Sequence, residues 1–121
     1  MRLALLFSGQ GGQTLAHWQQ VQAGVDGELG AALLRGLPDI ANPNVAVDAE
    51  KLAKNSIAQP LIFAQQMLLW GRLQSYLPRP ICAAGYSLGE MAACSAAGAF
   101  SGRRRCPVWR TGGGDGRCGG W

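Results

Sequence analysis

Residues 80–98 read PICAAGYSLGEMAACSAAG, a short apolar run, a serine between two glycines and a segment of small residues. Residues 81–84 predict a buried strand, and residues 88–97 predict a helix with Gly98 just past its end. Gly85 to Gly89 fit the pattern G-x-S-x-G, in which the serine lies on a sharp strand-to-helix turn with its hydroxyl exposed. In a glycine-rich chain the pattern alone is weak evidence, but its strand and helix context predicts a nucleophile elbow at Ser87.

A second glycine-bearing turn follows the first apolar run of the chain. Residues 3–7 are entirely apolar, which predicts a central parallel strand covered on both faces. The loop after it, residues 8–13, reads SGQGGQ. Such a loop suits a phosphate site, yet it has neither G-x-G-x-x-G nor the Gly-Lys-Ser/Thr of a P-loop. From this loop alone, a ligand-binding turn and a plain strand-to-helix turn both remain open.

Helical segments are predicted between the two strands, at residues 14–22, 27–37, 45–54 and 56–77. Strand, helices and a second strand in this order predict a parallel crossover. The predicted fold class is therefore α/β, with a parallel sheet and flanking helices.

Local sequence offers two starting points for the longest helix. Ser56 with Gln59 resembles a capping box at the start of the longest helix, whereas Pro60 prefers the first helical position and places the start three or four residues later.

His17 has no acid or nucleophile near it in sequence, and a lone histidine is more often a surface or packing residue than a base.

Charge divides the chain into two parts. Residues 1–101 carry six basic and six acidic residues, whereas residues 102–121 carry five arginines and one aspartate, which is the whole net charge of +4. This tail also holds seven glycines and no periodicity, so we expect it to be disordered. An RNA-binding tail is one interpretation. Translation of GC-rich DNA out of frame is the one we favour, and it leaves the chain without a nucleic-acid partner.

The cysteine spacing and the apolar runs bear on cofactors and location. The four cysteines are 12 residues apart, a spacing that matches no Cys-x-x-Cys ligand pair. No apolar run approaches the ~20 residues of a transmembrane helix, and the apolar start of the chain is too short for a signal peptide. We therefore expect a cytoplasmic protein with no metal, no membrane partner and no disulfide framework.

Three motifs occur in order: Gln10-Gly11-Gly12-Gln13, Ile57-Ala58-Gln59-Pro60-Leu61 and Gly85-Tyr86-Ser87-Leu88-Gly89-Glu90. They resemble the G-Q-G-S-Q, Q-P-A/L and G-H-S-L-G-E motifs of the malonyl-CoA:acyl-carrier-protein transacylase family, the acyltransferases of fatty-acid and polyketide synthesis. The resemblance covers residues 1–101. It implies that these residues form the N-terminal part of the large subdomain of an α/β-hydrolase-like acyltransferase core. The resemblance stops where the charge, the glycine content and the periodicity of the sequence change, and we therefore predict that residues 102–121 are an out-of-frame tail.

The resemblance also implies a reaction. Ser87 would take an acyl group from coenzyme A as an ester and pass it to the phosphopantetheine thiol of an acyl carrier protein. The backbone N–H groups of Gln10 and Leu88 would form the oxyanion hole. The expected partners are malonyl-CoA and the acyl carrier protein, with the coenzyme A thioester as substrate and no separate cofactor.

This chain departs from the family pattern at three places. Tyr86 stands where the family has histidine, which bears on the choice of acyl donor. The family's catalytic histidine lies about a hundred residues beyond the serine. Its carboxylate-binding arginine lies about 25 residues beyond the serine, where this chain has Gly112. We therefore expect the 121-residue chain to turn over negligibly by itself and to be inactive at the rate of a normal enzyme.

Two other functions remain open from the sequence. An α/β-hydrolase-type serine esterase shares the elbow but leaves the glutamines of the first loop unexplained. A non-catalytic remnant that binds a carrier protein or coenzyme A is the other.

Overall fold

The computed structural model describes residues 1–24, 27–98, 109–111 and 114–116. The chain forms two compact units, unit 1 with Met1–Gly9 and Leu69–Trp121 and unit 2 with Gln10–Leu68. The elements are β1 (Ala4–Phe7), α1 (Leu15–Gly24), α2 (Gly27–Gly36), a 3-10 helix (Pro38–Ala41), α3 (Ala49–Ala53), α4 (Asn55–Leu73), β2 (Cys82–Gly85), α5 (Leu88–Ala96), β3 (Trp109–Thr111) and β4 (Gly114–Gly116).

The sheet of unit 1 joins the two predicted strands. β1 and β2 pair in parallel, with Phe7 opposite Gly85 at their carboxyl ends. The Tyr86 N–H donates to the Phe7 carbonyl at 3.1 Å and carries the pairing up to the elbow. Because four helices separate β1 from β2 in sequence, this pairing confirms the predicted parallel crossover.

The two faces of this sheet differ in burial. Leu5 and Phe7 pack with Ala83 and Ala93, so α5 covers their face. Leu6 on the opposite face is 84% exposed. The prediction that β1 is covered on both faces is therefore wrong, because an apolar run indicates that a strand prefers burial but does not supply the element that would cover its second face.

Helix α5 follows the elbow and ends as its sequence predicts. The Gly98 N–H donates to the Ser95 carbonyl at 2.9 Å, and Gly98 has a φ of 77°. That left-handed conformation is typical of the residue just past a helix, where glycine avoids the steric penalty of a Cβ atom.

Unit 2 is held together by one apolar core to which α1, the 3-10 helix, α3 and α4 contribute. A fully buried aliphatic side chain typically contributes about 1.5–3 kcal/mol to the free energy of unfolding. The buried members are Trp18, Val21, Leu37, Ile40, Leu52, Leu61 and Ala64. This core holds the short helices of unit 2 in place.

Helix α4 begins before its proline. The N–H groups of Ile57 and Ala58 donate to the Lys54 carbonyl at 2.9 and 2.8 Å, so the first turn is complete before Pro60. Pro60 lies inside the helix, and the predicted alternative of a start at Pro60 is wrong. Proline removes a single helical hydrogen bond near the N-terminus, which the surrounding turn tolerates.

Helix α3 is a single short turn with a defined cap. Asp48 precedes it in an extended conformation, and its Oδ1 accepts from the Lys51 N–H at 2.8 Å. The Lys51 ammonium in turn lies 2.8 Å from a carboxylate oxygen of Asp39 on the 3-10 helix. The helix starts later than the sequence predicts, because this cap sets its first residue.

Replacing Asp48 by alanine should lower the free energy of unfolding by about 1 kcal/mol, because the N–H of Lys51 loses its acceptor. Asp48→Asn keeps an acceptor oxygen and should stay within a few tenths of a kcal/mol of the unmodified chain. Urea unfolding of the three chains measures both values. Equal losses for the alanine and asparagine variants would contradict the capping role.

The C-terminal tail is described only in part. β3 and β4 pair antiparallel, with Trp109 opposite Gly116 and Thr111 opposite Gly114. The remaining positions of the tail lie outside the described residues: 102–108, 112–113 and 117–121. They include Gly112, which stands where the arginine was expected. The disordered, out-of-frame tail therefore stays a prediction. Among the helices that the structure describes, none is long and apolar enough to cross a membrane.

Candidate functional site

Ser87 lies between the end of β2 and the first residue of α5, at a backbone conformation of φ 52° and ψ −116°. Among the described residues it is the only non-glycine residue with a positive φ. Such a conformation costs about 1–3 kcal/mol and persists only where the surrounding structure enforces it. The side chain is exposed, so the strand, sharp turn and helix predicted around Ser87 are all present.

The two glycines of the motif allow three backbone segments to meet. A Cβ atom on Gly85 would overlap the carbonyl group of Gly89, and a Cβ atom on Gly89 would overlap the carbonyl group of Phe7. These contacts are with backbone atoms, which cannot move aside as the end of a side chain can. Glycine at both positions lets β1, β2 and α5 approach closely enough to force the turn at Ser87.

The start of the glutamine loop, residues 9–13, contacts the elbow. A Cβ atom on Gly9 would lie 2.9 Å from the Tyr86 carbonyl oxygen and 3.2 Å from the ring atom Cδ1 of Tyr86. Tyr86 itself is 80% exposed. Tyr86 therefore borders both Ser87 and Gly9, the first residue of this loop.

Leu88 offers the backbone donor nearest to Ser87 in sequence. As the first residue of α5, it has no carbonyl of an earlier helical turn for its N–H group. The N–H groups of the next two residues, Gly89 and Glu90, instead donate to the carbonyls of Tyr86 and Ser87 at 2.9 Å. A free N–H at a helix N-terminus suits a developing negative charge, and the role of Leu88 in an oxyanion hole stays a prediction.

The first glutamine of the loop belongs to unit 2 and is bonded through its side chain. The Gln10 Nε2 donates to Asn55 Oδ1 at 2.7 Å, and the Gln59 Nε2 donates to Gln10 Oε1 at 3.3 Å. Gln59 thus bonds to the loop, and no capping-box bond from it to Ser56 is among the hydrogen bonds of the described residues. No sequence motif pointed to Asn55.

The second glutamine of the loop is anchored on the neighbouring helix. The Gln13 Nε2 donates to the Leu52 carbonyl of α3 at 3.0 Å, while Gln13 Oε1 is buried without a hydrogen-bond partner among the described residues. A pocket of about 570 Å³ lies beside it, lined by residues 12–15 and by α3 with the two residues before it. The side chains of both glutamines are therefore held by hydrogen bonds at the corner between α3 and α4.

His17 has a structural role in the described part of the chain. Its Nδ1 accepts from the Thr14 N–H at 3.1 Å, and the Thr14 Oγ1 accepts from the His17 N–H at 3.4 Å. This reciprocal pair closes the first turn of α1 in the way that a capping box does. The interpretation of His17 as a packing or surface residue is consistent with these bonds.

The predicted site residues thus fall in different units. Ser87 and Leu88 are adjacent in unit 1, whereas Gln10 belongs to unit 2. The pairing of Gln10 with Leu88 around one oxyanion remains a prediction. Residues 1–24 and 27–98 bring together no group of three or more histidine, cysteine or acidic side chains that could hold a metal ion.

The curated proteins that resemble this chain include polyketide synthases and malonyl CoA-acyl carrier protein transacylases. The chain is 35% identical over 114 residues to the polyketide synthase GfsB of Streptomyces halstedii, a match that covers 89% of this chain and 2% of the synthase. It is 31% identical over 105 residues to the malonyl CoA-acyl carrier protein transacylase of Mycobacterium bovis, covering 82% of this chain and 34% of that protein. No protein-family model matches the chain.

Solved structures with a similar fold include acyl-carrier-protein S-malonyltransferases. The crystal structure of the acyl-carrier-protein S-malonyltransferase from Burkholderia pseudomallei superimposes with a TM-score of 0.56 at 26% identity, covering 81% of this chain and 33% of that chain. The enzyme of the same description from Vibrio cholerae superimposes with a TM-score of 0.55 at 25% identity. The proteins that this chain resembles therefore include malonyl CoA-acyl carrier protein transacylases, and the chain spans about a third of the length of the transacylases that it matches.

Proposed function

We propose that the chain is part of an acyltransferase that moves a malonyl or related acyl group from coenzyme A to an acyl carrier protein through an ester on Ser87. The observation that carries this proposal is the conformation of Ser87, held at a positive φ between β2 and the N-terminus of α5. The similarity to transacylases supports the same chemistry, because their names describe malonyl transfer between these two carriers.

The proposed reaction has two steps at one atom. The Ser87 hydroxyl oxygen attacks the thioester carbonyl, its proton passes to a general base, and the carbon–sulfur bond breaks to release coenzyme A as a thiol. The phosphopantetheine thiol of the carrier protein then attacks the Ser87 ester, and the serine oxygen leaves with a proton. Each step passes through a tetrahedral oxyanion.

Backbone N–H groups would stabilise that oxyanion. The Leu88 N–H lies at the N-terminus of α5, directly after the serine, and the Gln10 N–H is the second donor in this proposal. One such donor typically contributes about 3–4 kcal/mol to the stability of the transition state. The coenzyme A thioester is a substrate in this scheme, and the proposal includes no separate cofactor. We also propose that the protein acts in the cytoplasm.

Incubation of the chain with malonyl-CoA should give a covalent adduct with the mass of one malonyl group on Ser87, detected by intact and peptide mass spectrometry. Ser87→Ala should abolish the adduct, because it removes the attacking oxygen. Ser75→Ala is the matched control, since Ser75 is another exposed serine, and it should leave the adduct unchanged.

The same experiment separates the other two functions. An adduct that water removes as quickly as an acyl carrier protein does would indicate an esterase. Saturable binding of coenzyme A without any adduct would indicate a non-catalytic remnant and contradict the proposed transfer.

A further inference from the structure

The side chain of Gln10 is bonded at both ends of its amide group. Its Nε2 donates to Asn55 Oδ1 at 2.7 Å, and its Oε1 accepts from Gln59 Nε2 at 3.3 Å. Asn55 and Gln59 are four residues apart on α4, so they lie on the same face of the helix. The first turns of α4 therefore hold Gln10 by two hydrogen bonds that use complementary atoms of one amide.

We propose that Asn55 is a positioning residue, which fixes the side chain of Gln10 so that the backbone of the glutamine loop keeps one conformation. Gln59 completes the clamp from the next turn of the helix. This inference rests on the proposed function for its consequence, since the clamped residue is one of the two oxyanion donors proposed above.

The loop needs such a clamp because its own backbone restricts it little. Gly11 and Gly12 follow Gln10 with φ angles of 136° and 69°, and no atom lies within 4 Å of where a Cβ would stand on either. Glycine loses more conformational freedom on ordering than any other residue. A backbone donor stabilises an oxyanion only if it is already in place, so the order of this loop must come from side chains.

The rest of the corner supports the same arrangement. The Gln13 side chain donates to the Leu52 carbonyl at 3.0 Å, which ties the far end of the loop to α3. Asn55 begins the next helix only two residues after α3 ends. Because Asn55 and Gln59 are both exposed, losing their bonds removes little buried structure, and the effect should fall on the loop.

The test uses three variants of the chain. Asn55→Ala removes the acceptor, Asn55→Asp keeps an acceptor oxygen for Gln10 Nε2, and Asn44→Ala replaces another exposed asparagine outside the clamp. The first measurement is the NMR order parameter of the Gln10 backbone N–H. It should be about 0.85 in the unmodified chain, as in ordered backbone, and should fall below about 0.6 in Asn55→Ala.

The aspartate and Asn44→Ala variants should keep the order parameter of the unmodified chain. The second measurement is the rate at which malonyl-CoA acylates Ser87, which should fall about tenfold in Asn55→Ala and return in Asn55→Asp. Thermal unfolding should be the same in all four chains, which a merely structural role would not give.

Two results would overturn the clamp: an unchanged order parameter of Gln10 in Asn55→Ala, or acylation of that variant at the unmodified rate. If the unmodified chain forms no adduct at all, the proposed function fails. The order parameter then decides on the clamp by itself, so the two failures are distinguishable.

Discussion

Replacing Gly89 by alanine should lower the free energy of unfolding by about 3 kcal/mol or more, a large effect for a single methyl group. The new Cβ would overlap the carbonyl groups of Phe7 and Ser8 at the end of β1. These atoms belong to the strand that pairs with β2, so relief requires the sheet and α5 to separate. Urea or thermal unfolding, followed by circular dichroism, measures the loss.

Gly71→Ala is the matched control for that variant. Gly71 lies within α4, and no atom comes within 4 Å of where its Cβ would stand. Alanine is favoured over glycine inside a helix, so this variant should gain about 0.5–1 kcal/mol. The same added methyl group thus stabilises at one glycine and destabilises at the other. A loss of similar size in both variants would contradict the close approach at the elbow.

The sequence predicts the parts of the fold that depend on local pattern. The apolar runs located β1 and β2, and the serine between two glycines located the turn before α5. The parallel pairing followed from the order of these elements, because strands separated by helices in one small sheet are joined by a crossover. Burial of the second face of β1 could not be predicted in the same way, and Leu6 is exposed there.

The candidate site shows why local sequence patterns predict some site residues but not the hydrogen bonds between residues far apart in the chain. Ser56 and Gln59 are spaced as in a capping box, and the sequence alone offers that local pair as one of two possible helix starts. In the structure Gln59 bonds instead to Gln10, 49 residues away, and Asn55 bonds to Gln10 across 45 residues. Contacts of this kind arise from packing between the loop and α4, and no short motif records them. The available sequence signal was a pair of polar residues four apart at the start of a helix, together with a glycine-rich loop elsewhere in the chain.

The 121-residue chain by itself should transfer malonyl groups to an acyl carrier protein at least about 10⁴-fold more slowly than a complete serine transacylase. A serine hydroxyl is a weak nucleophile at neutral pH unless a general base takes its proton. The sequence holds one histidine, His17, and its Nδ1 is occupied by the N–H of Thr14. Steady-state assays with malonyl-CoA and a carrier protein, with Ser87→Ala as the blank, measure the rate.

A second variant tests whether His17 contributes to the residual rate. His17→Gln keeps an acceptor for the Thr14 N–H, since glutamine serves the same purpose in a capping box, but it cannot act as a base. Helix α1 should therefore stay intact and the slow acylation of Ser87 should be unchanged. Turnover by the unmodified chain at the rate of a normal enzyme would show that a base acts on Ser87 after all. Loss of that turnover in His17→Gln would identify His17 as the base, and an unaltered rate would direct the search to other side chains near the elbow.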